Sequence, residues 1–135
     1  MPRLAELFFK TAIMFLIIGL AIGLQMAISA NHNVVGAHAH INLLGWVTSA
    51  IFGGYYALNP AKAEKRTAMA HYWVYTVGVV ILTASLYGLL LGNTVLETGV
   101  AVGALIVFAG VLIFAWVIFA PATSRSTLTP GAAVG

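Results

Sequence analysis

The sequence contains no cysteine, and its 135 residues include only six Lys or Arg and three Asp or Glu. Without cysteine there are no disulfides, thiolate metal sites or cysteine nucleophiles. Charged residues make up 7% of the chain, against about 25% in a soluble domain. So few charges cannot clothe a 14.2 kDa water-soluble globule. Three acidic residues give no credible pair of catalytic carboxylates. The formal net charge is +3, and no basic cluster is interleaved with aromatics, so nucleic acid is not a partner. Nucleotide-binding and hydrolase motifs are lacking too. Apolar residues are what the chain has in quantity. They reach 61% of it, with a mean hydropathy of +1.02, which excludes a disordered polymer. The composition is that of a single-domain, all-α integral membrane protein embedded in a lipid bilayer.

Four long apolar stretches can be marked, at about residues 7–28, 35–58, 68–91 and 98–119. Each is long enough to cross a hydrocarbon core of ~30 Å as a helix. The connections, 29–34, 59–67 and 92–97, are short, so the pattern predicts a four-transmembrane-helix up-down bundle over residues 1–120. Lys10 near the start of the first stretch, its length, and the lack of a clear cleavage site make it a retained span rather than a signal peptide. Arg3 and Lys10 stand at or before the start of the first span. Lys62, Lys65 and Arg66 lie between the second and third, and Arg125 follows the fourth. All six cations therefore fall on one side, which the positive-inside rule makes cytoplasmic, with both termini. Residues 121–135, rich in Ala, Thr, Ser, Pro and Gly, are expected to form a flexible cytoplasmic tail. Gly19 with Gly23, and Gly99 with Gly103, are small-xxx-small pairs that allow close helix packing, within one chain or between two.

The segment that carries chemistry is Gly36-Ala37-His38-Ala39-His40-Ile41-Asn42-Leu43-Leu44-Gly45-Trp46. Two histidines stand inside an apolar span, just past its outer end, where ionisable groups are costly and usually functional. On a helix, i and i+2 are about 200° apart. His38 and His40 thus face opposite ways and cannot chelate one small ion together. Each can supply one axial ligand to a different planar cofactor, and haem fits, because imidazole is a common ligand of its iron. A six-coordinate haem then needs a second imidazole from His32 in the outer loop or from another copy of the chain.

These residues resemble one four-helix unit of the catalytic subunit of haem-copper oxidases, a family that includes nitric oxide reductases and C-type oxidases. That subunit arranges twelve helices as three quasi-equivalent sets of four. Its second helix in nitric oxide reductases carries a His with a Tyr-Tyr pair seventeen residues on, as His38 is followed here by Tyr55-Tyr56. The family's tenth helix carries H-x-H with Gly-Gly fifteen residues after the first His, as His38-Ala39-His40 is followed by Gly53-Gly54. The first span, with Gly19, Gly23 and Gln25, and the third, opening His71-Tyr72-Trp73, are also similar to the family's first and third helices.

The resemblance implies that His38 and His40 hold a b-type haem iron, one from each side. Three copies would close into a homotrimeric ring with one haem per protomer interface, near the outer face of a bacterial or archaeal cell membrane. It also implies a redox partner that supplies or takes the electrons. The family's copper ligands are not matched. The third span has only His71, placed roughly a membrane width from His38 at ~1.5 Å per residue. Electron transfer through a bis-histidine haem is therefore the expected function, with no catalytic residue assigned. Two alternatives are a haem-based sensor or enzyme acting on oxygen or nitric oxide, and a metal-ion transport or assembly module using His32, His38 and His40 without haem. Among supporting residues, Gln25 is expected to bond a ligand imidazole or a neighbouring helix. His32 is expected to be solvated or to pair with haem propionates. His71 is expected at the membrane interface beside Tyr72 and Trp73.

Overall fold

A computed structural model describes residues 1–121; Arg125 and all but the first residue of the expected tail lie outside the described residues. Among the described residues every regular element is helical and no strand is present. Helix α1 (Arg3–Ser29) ends where Ala30 turns left-handed, at φ 51°. A short turn follows, in which the Asn33 amide donates to Asn31 Oδ1 at 2.9 Å. Residues 35–58 are then helical without a break, but not uniformly so. Helix α2 (Val35–His40) runs into a π-helical segment (Ile41–Thr48), which runs into α3 (Ser49–Leu58). The single turn α4 (Pro60–Ala63) starts on Pro60, whose missing N–H would have had no partner there. Helix α5 (Arg66–Leu90) stops before Gly92, at φ 102°. A 3₁₀ turn (Thr94–Leu96) leads into α6 (Glu97–Phe119).

Helix α1, helix α5, and the stretch Thr94–Phe119 are each long and apolar enough to cross a membrane. The chain is a helical membrane protein.

In lipid the apolar surfaces gain little by meeting one another, so close backbone approach and hydrogen bonding must hold the helices. Helix α1 runs antiparallel to the 35–58 segment, and the seam can be followed through its glycines. Gly53 lies against Phe8 and Phe9, Gly45 against Phe15, Gly19 against Asn42 and Gly23 against His38. The buried positions of the segment step by four from Ala37 through Ile41 and Gly45 to Ser49, and Phe52, Gly53 and Tyr56 follow. In an α-helix each such step drifts about 40° around the axis. The wider π turns drift back, so one face stays inward along the whole segment.

Helices α5 and α6 form a second antiparallel pair. Gly103 lies under the Leu82 backbone, Gly110 under Tyr75, and Gly99 against Ser85. Both small-xxx-small pairs therefore pack helices within one chain. An aromatic layer joins the two pairs: Phe8, Phe52, Tyr75 and Phe114 all lie within 6 Å of the His71 ring, centroid to centroid. Thr11 of α1 and Tyr72 of α5 share a hydroxyl hydrogen bond of 2.8 Å.

At the far end from His38, Lys62 Nζ donates to the carbonyls of Val117 and Ile118, at 2.9 and 2.7 Å, and to Tyr55 Oη at 3.0 Å. Lys65 Nζ donates to the Pro121 carbonyl at 3.0 Å. The Lys62 ammonium satisfies two of the last carbonyls of α6, which have no intrahelical partner and carry the negative end of the helix dipole, and Lys65 binds the chain just past the helix end.

Candidate functional site

The His38 ring lies half-buried in a groove on α1. The groove exists because Gly19 and Gly23 have no side chains. A Cβ at Gly23 would stand 2.9 Å from His38 Cε1, and one at Gly19 would stand 2.6 Å from Asn42 Nδ2. His38 Nδ1 lies 2.9 Å from the Gly19 carbonyl oxygen. A carbonyl only accepts, so Nδ1 carries the proton and Nε2 keeps its lone pair. Asn42 fastens the same turn by donating from Nδ2 to the His38 carbonyl at 2.8 Å. This bond lies within its own helix.

His40 repeats the arrangement by different means. Its Nδ1 lies 2.8 Å from the carbonyl of Gly36, one turn earlier on its own helix, and the residue is exposed. Again Nδ1 is the donor and Nε2 is left as the basic nitrogen. Backbone-held Nδ1–H with an available Nε2 is how metal-ligating histidines are commonly oriented. Among the described residues neither Nε2 has a hydrogen-bond partner. Two singly available imidazole nitrogens on different sides of one helix suit a ligand that takes one imidazole per face.

The other expected residues are placed elsewhere. Gln25 is exposed, and its Oε1 accepts from Tyr87 Oη at 3.4 Å, linking α1 to α5 rather than reaching an imidazole. His32 is exposed in the turn before α2, where its carbonyl accepts from the Val35 amide at 3.1 Å. Among the described residues, no three His, Cys, Asp or Glu side chains gather as a metal site, and His32, His38 and His40 do not converge.

His71 differs from its expected interfacial place. It is fully buried at 0% exposure, with Nδ1 3.0 Å from Tyr56 Oη and its Nε2 buried without a partner. Its ring stacks on Phe114 at 5.0 Å and meets Phe52 edge-on at 4.6 Å. The reason is rotation: Tyr72 and Trp73 sit on neighbouring faces of α5, and only Trp73 points outward. The sequence also gave no notice of Asn42 as a fastener of the His38 turn, or of Tyr75, whose Oη donates to the Leu44 carbonyl at 3.0 Å.

The chain is similar to the cytochrome c oxidase subunit 1 homolog of Azorhizobium caulinodans, with 30% identity across 68% of this chain. The match takes in 22% of that protein, so the chain spans about a fifth of the length of its relative. This supports a loose relationship to the haem-copper oxidases. No protein-family model matches the chain, and no solved structure matches it.

Proposed function

We propose that the protein is a b-type haem protein of the membrane that transfers electrons, its haem held between two copies of the chain. The observation that carries this reading is the matched pair of imidazoles. His38 and His40 each give Nδ1–H to a backbone carbonyl, and each keeps Nε2 for another ligand. Their faces differ, so the two ligands of one haem come from His38 of one protomer and His40 of the next. A head-to-tail interface of this kind pairs every ligand only when it closes into a ring. The motif resemblance to a subunit built of three sets of four helices favours a homotrimer, in which three short chains stand where one long chain has three sets.

Bound haem iron with both axial positions filled would accept and release single electrons rather than activate oxygen. The chain's own residues set the imidazole tautomers and hold the rings in place. In this reading residues 35–58 also span the membrane, as the second of four helices in an up-down bundle. The cations Arg3, Lys10, Lys62, Lys65 and Arg66 lie on the cytoplasmic side with both termini, and the histidine pair lies toward the outer face. The bacterial relative favours a bacterial or archaeal cell membrane.

Absorption spectra of the purified, reduced protein, with and without carbon monoxide, test the proposal. Low-spin bands that carbon monoxide leaves unchanged support it. A shifted Soret band would instead indicate a gas-binding sensor or enzyme, and absence of haem would indicate a metal-ion module. His38→Ala and His40→Ala should each abolish the low-spin signature.

A further inference from the structure

The π-helical segment begins at the residue after His40. Long π segments are rare, because a π turn is wider and its bonds are less well formed than those of an α turn. Something must hold this one. Three hydroxyls do so at adjacent carbonyls. Thr48 Oγ1 donates to the Leu43 carbonyl at 2.8 Å, and Ser49 Oγ to the Leu44 carbonyl at 3.5 Å, each five residues back on the same helix. Tyr75 Oη, from α5, donates to the Leu44 carbonyl at 3.0 Å. Of the three, the Tyr75 bond alone comes from another helix, and its ring is fixed by burial at 0% exposure.

The consequence is rotational. If the segment relaxed by one residue toward α-helix, everything before it would turn by about 100° against everything after it. The later half is anchored by Phe52 and Tyr56 in the aromatic layer. The earlier half would therefore do the turning. His38 would leave the Gly19–Gly23 groove and its carbonyl partner, and His40 would swing with it. We infer that Tyr75 is a positioning residue for both imidazoles: by holding the Leu44 carbonyl out of the α-helical register, it sets the angle at which His38 and His40 face a haem. The inference deepens the haem reading above, although the rotational part stands without it.

The test uses Tyr75→Phe, which keeps the buried ring and removes only the donor. The control is Tyr72→Phe, which removes another hydroxyl from the same layer, the one bonded to Thr11. Two readouts are combined. First, cysteines at Ala37, which is buried, and at Ala39, which is exposed, are labelled in haem-free protein with a lipid-soluble maleimide. With Tyr75 present, Ala39→Cys reacts and Ala37→Cys is protected. Tyr75→Phe should raise labelling of Ala37→Cys about fivefold, the population change expected from one lost hydrogen bond, and Tyr72→Phe should not. Second, the low-spin electron paramagnetic resonance spectrum of haem-loaded protein should move or split its largest g value in Tyr75→Phe alone.

Unchanged labelling and an unchanged spectrum in Tyr75→Phe, with a normal low-spin signal in the parent, overturn the positioning role and leave the haem reading standing. Equal effects of Tyr72→Phe also overturn it, because any loss from the layer would then suffice. Labelling of Ala37→Cys raised by Tyr75→Phe alone, when the parent never shows a low-spin haem signal, upholds the Tyr75 latch and removes the haem reading.

Discussion

His38 Nδ1 lies 2.9 Å from the carbonyl oxygen of Gly19, nineteen residues earlier in the chain and on the neighbouring helix. One bond between helices thus fixes the tautomer of the ring, its tilt, and the register of α1 against the segment that carries both histidines.

A methyl group at Gly23 would stand 2.9 Å from His38 Cε1, with the ring held on both sides. Overpacking of this kind costs about 1–3 kcal/mol. Gly23→Ala is expected to lower haem affinity about tenfold or more in a haem titration. Gly54→Ala, where a Cβ meets nothing within 4 Å, is expected to leave affinity unchanged.

If each haem takes one imidazole from each of two protomers, inactive parents should complement. His38→Ala and His40→Ala chains are expected to bind no bis-histidine haem alone. Co-expressed, they should regain one complete interface in each mixed ring, measured as low-spin absorbance per protomer. Mixed rings that form and still bind none would exclude the shared site, whereas bis-histidine haem in either mutant alone would point to His32 as the second ligand.

His71→Ala would open a cavity among Phe8, Phe52 and Phe114 and leave Tyr56 Oη without its partner. A loss of about 2–4 kcal/mol is expected in detergent unfolding. His71→Phe should cost less, because it fills the space and removes the unpartnered Nε2. Neither variant should move the haem spectrum.

Lys62→Met keeps much of the aliphatic stem and removes the ammonium that holds Val117 and Ile118. Charge-assisted bonds at a helix C-terminus contribute about 1–2 kcal/mol here. Hydrogen exchange is expected to quicken in the last turn of α6, while the His38 end exchanges as before.

Hydropathy and loop length made the helical membrane character legible, and Pro60 and Gly92 mark turns that composition also marks. The opposite faces of His38 and His40 follow from their spacing alone. What tertiary contacts decide was not legible. The π form of Ile41–Thr48 leans on Tyr75, 31 residues from Leu44, as well as on the nearby hydroxyls of Thr48 and Ser49. His71 looked interfacial because Tyr72 and Trp73 follow it; its burial depends on Phe8 and Phe52 from other helices.

In the proposed topology Lys62 and Lys65 stand among the charges that set insertion; Lys62 also holds the last carbonyls of α6, and Lys65 the Pro121 carbonyl just beyond it. Moving those two charges to invert insertion would unfasten a helix in the same stroke, so handedness in the bilayer and integrity of the fold share the same atoms. Arg3 and Arg66 are exposed and, among the described residues, donate to no carbonyl. They are where a charge swap could probe insertion without disturbing the fold.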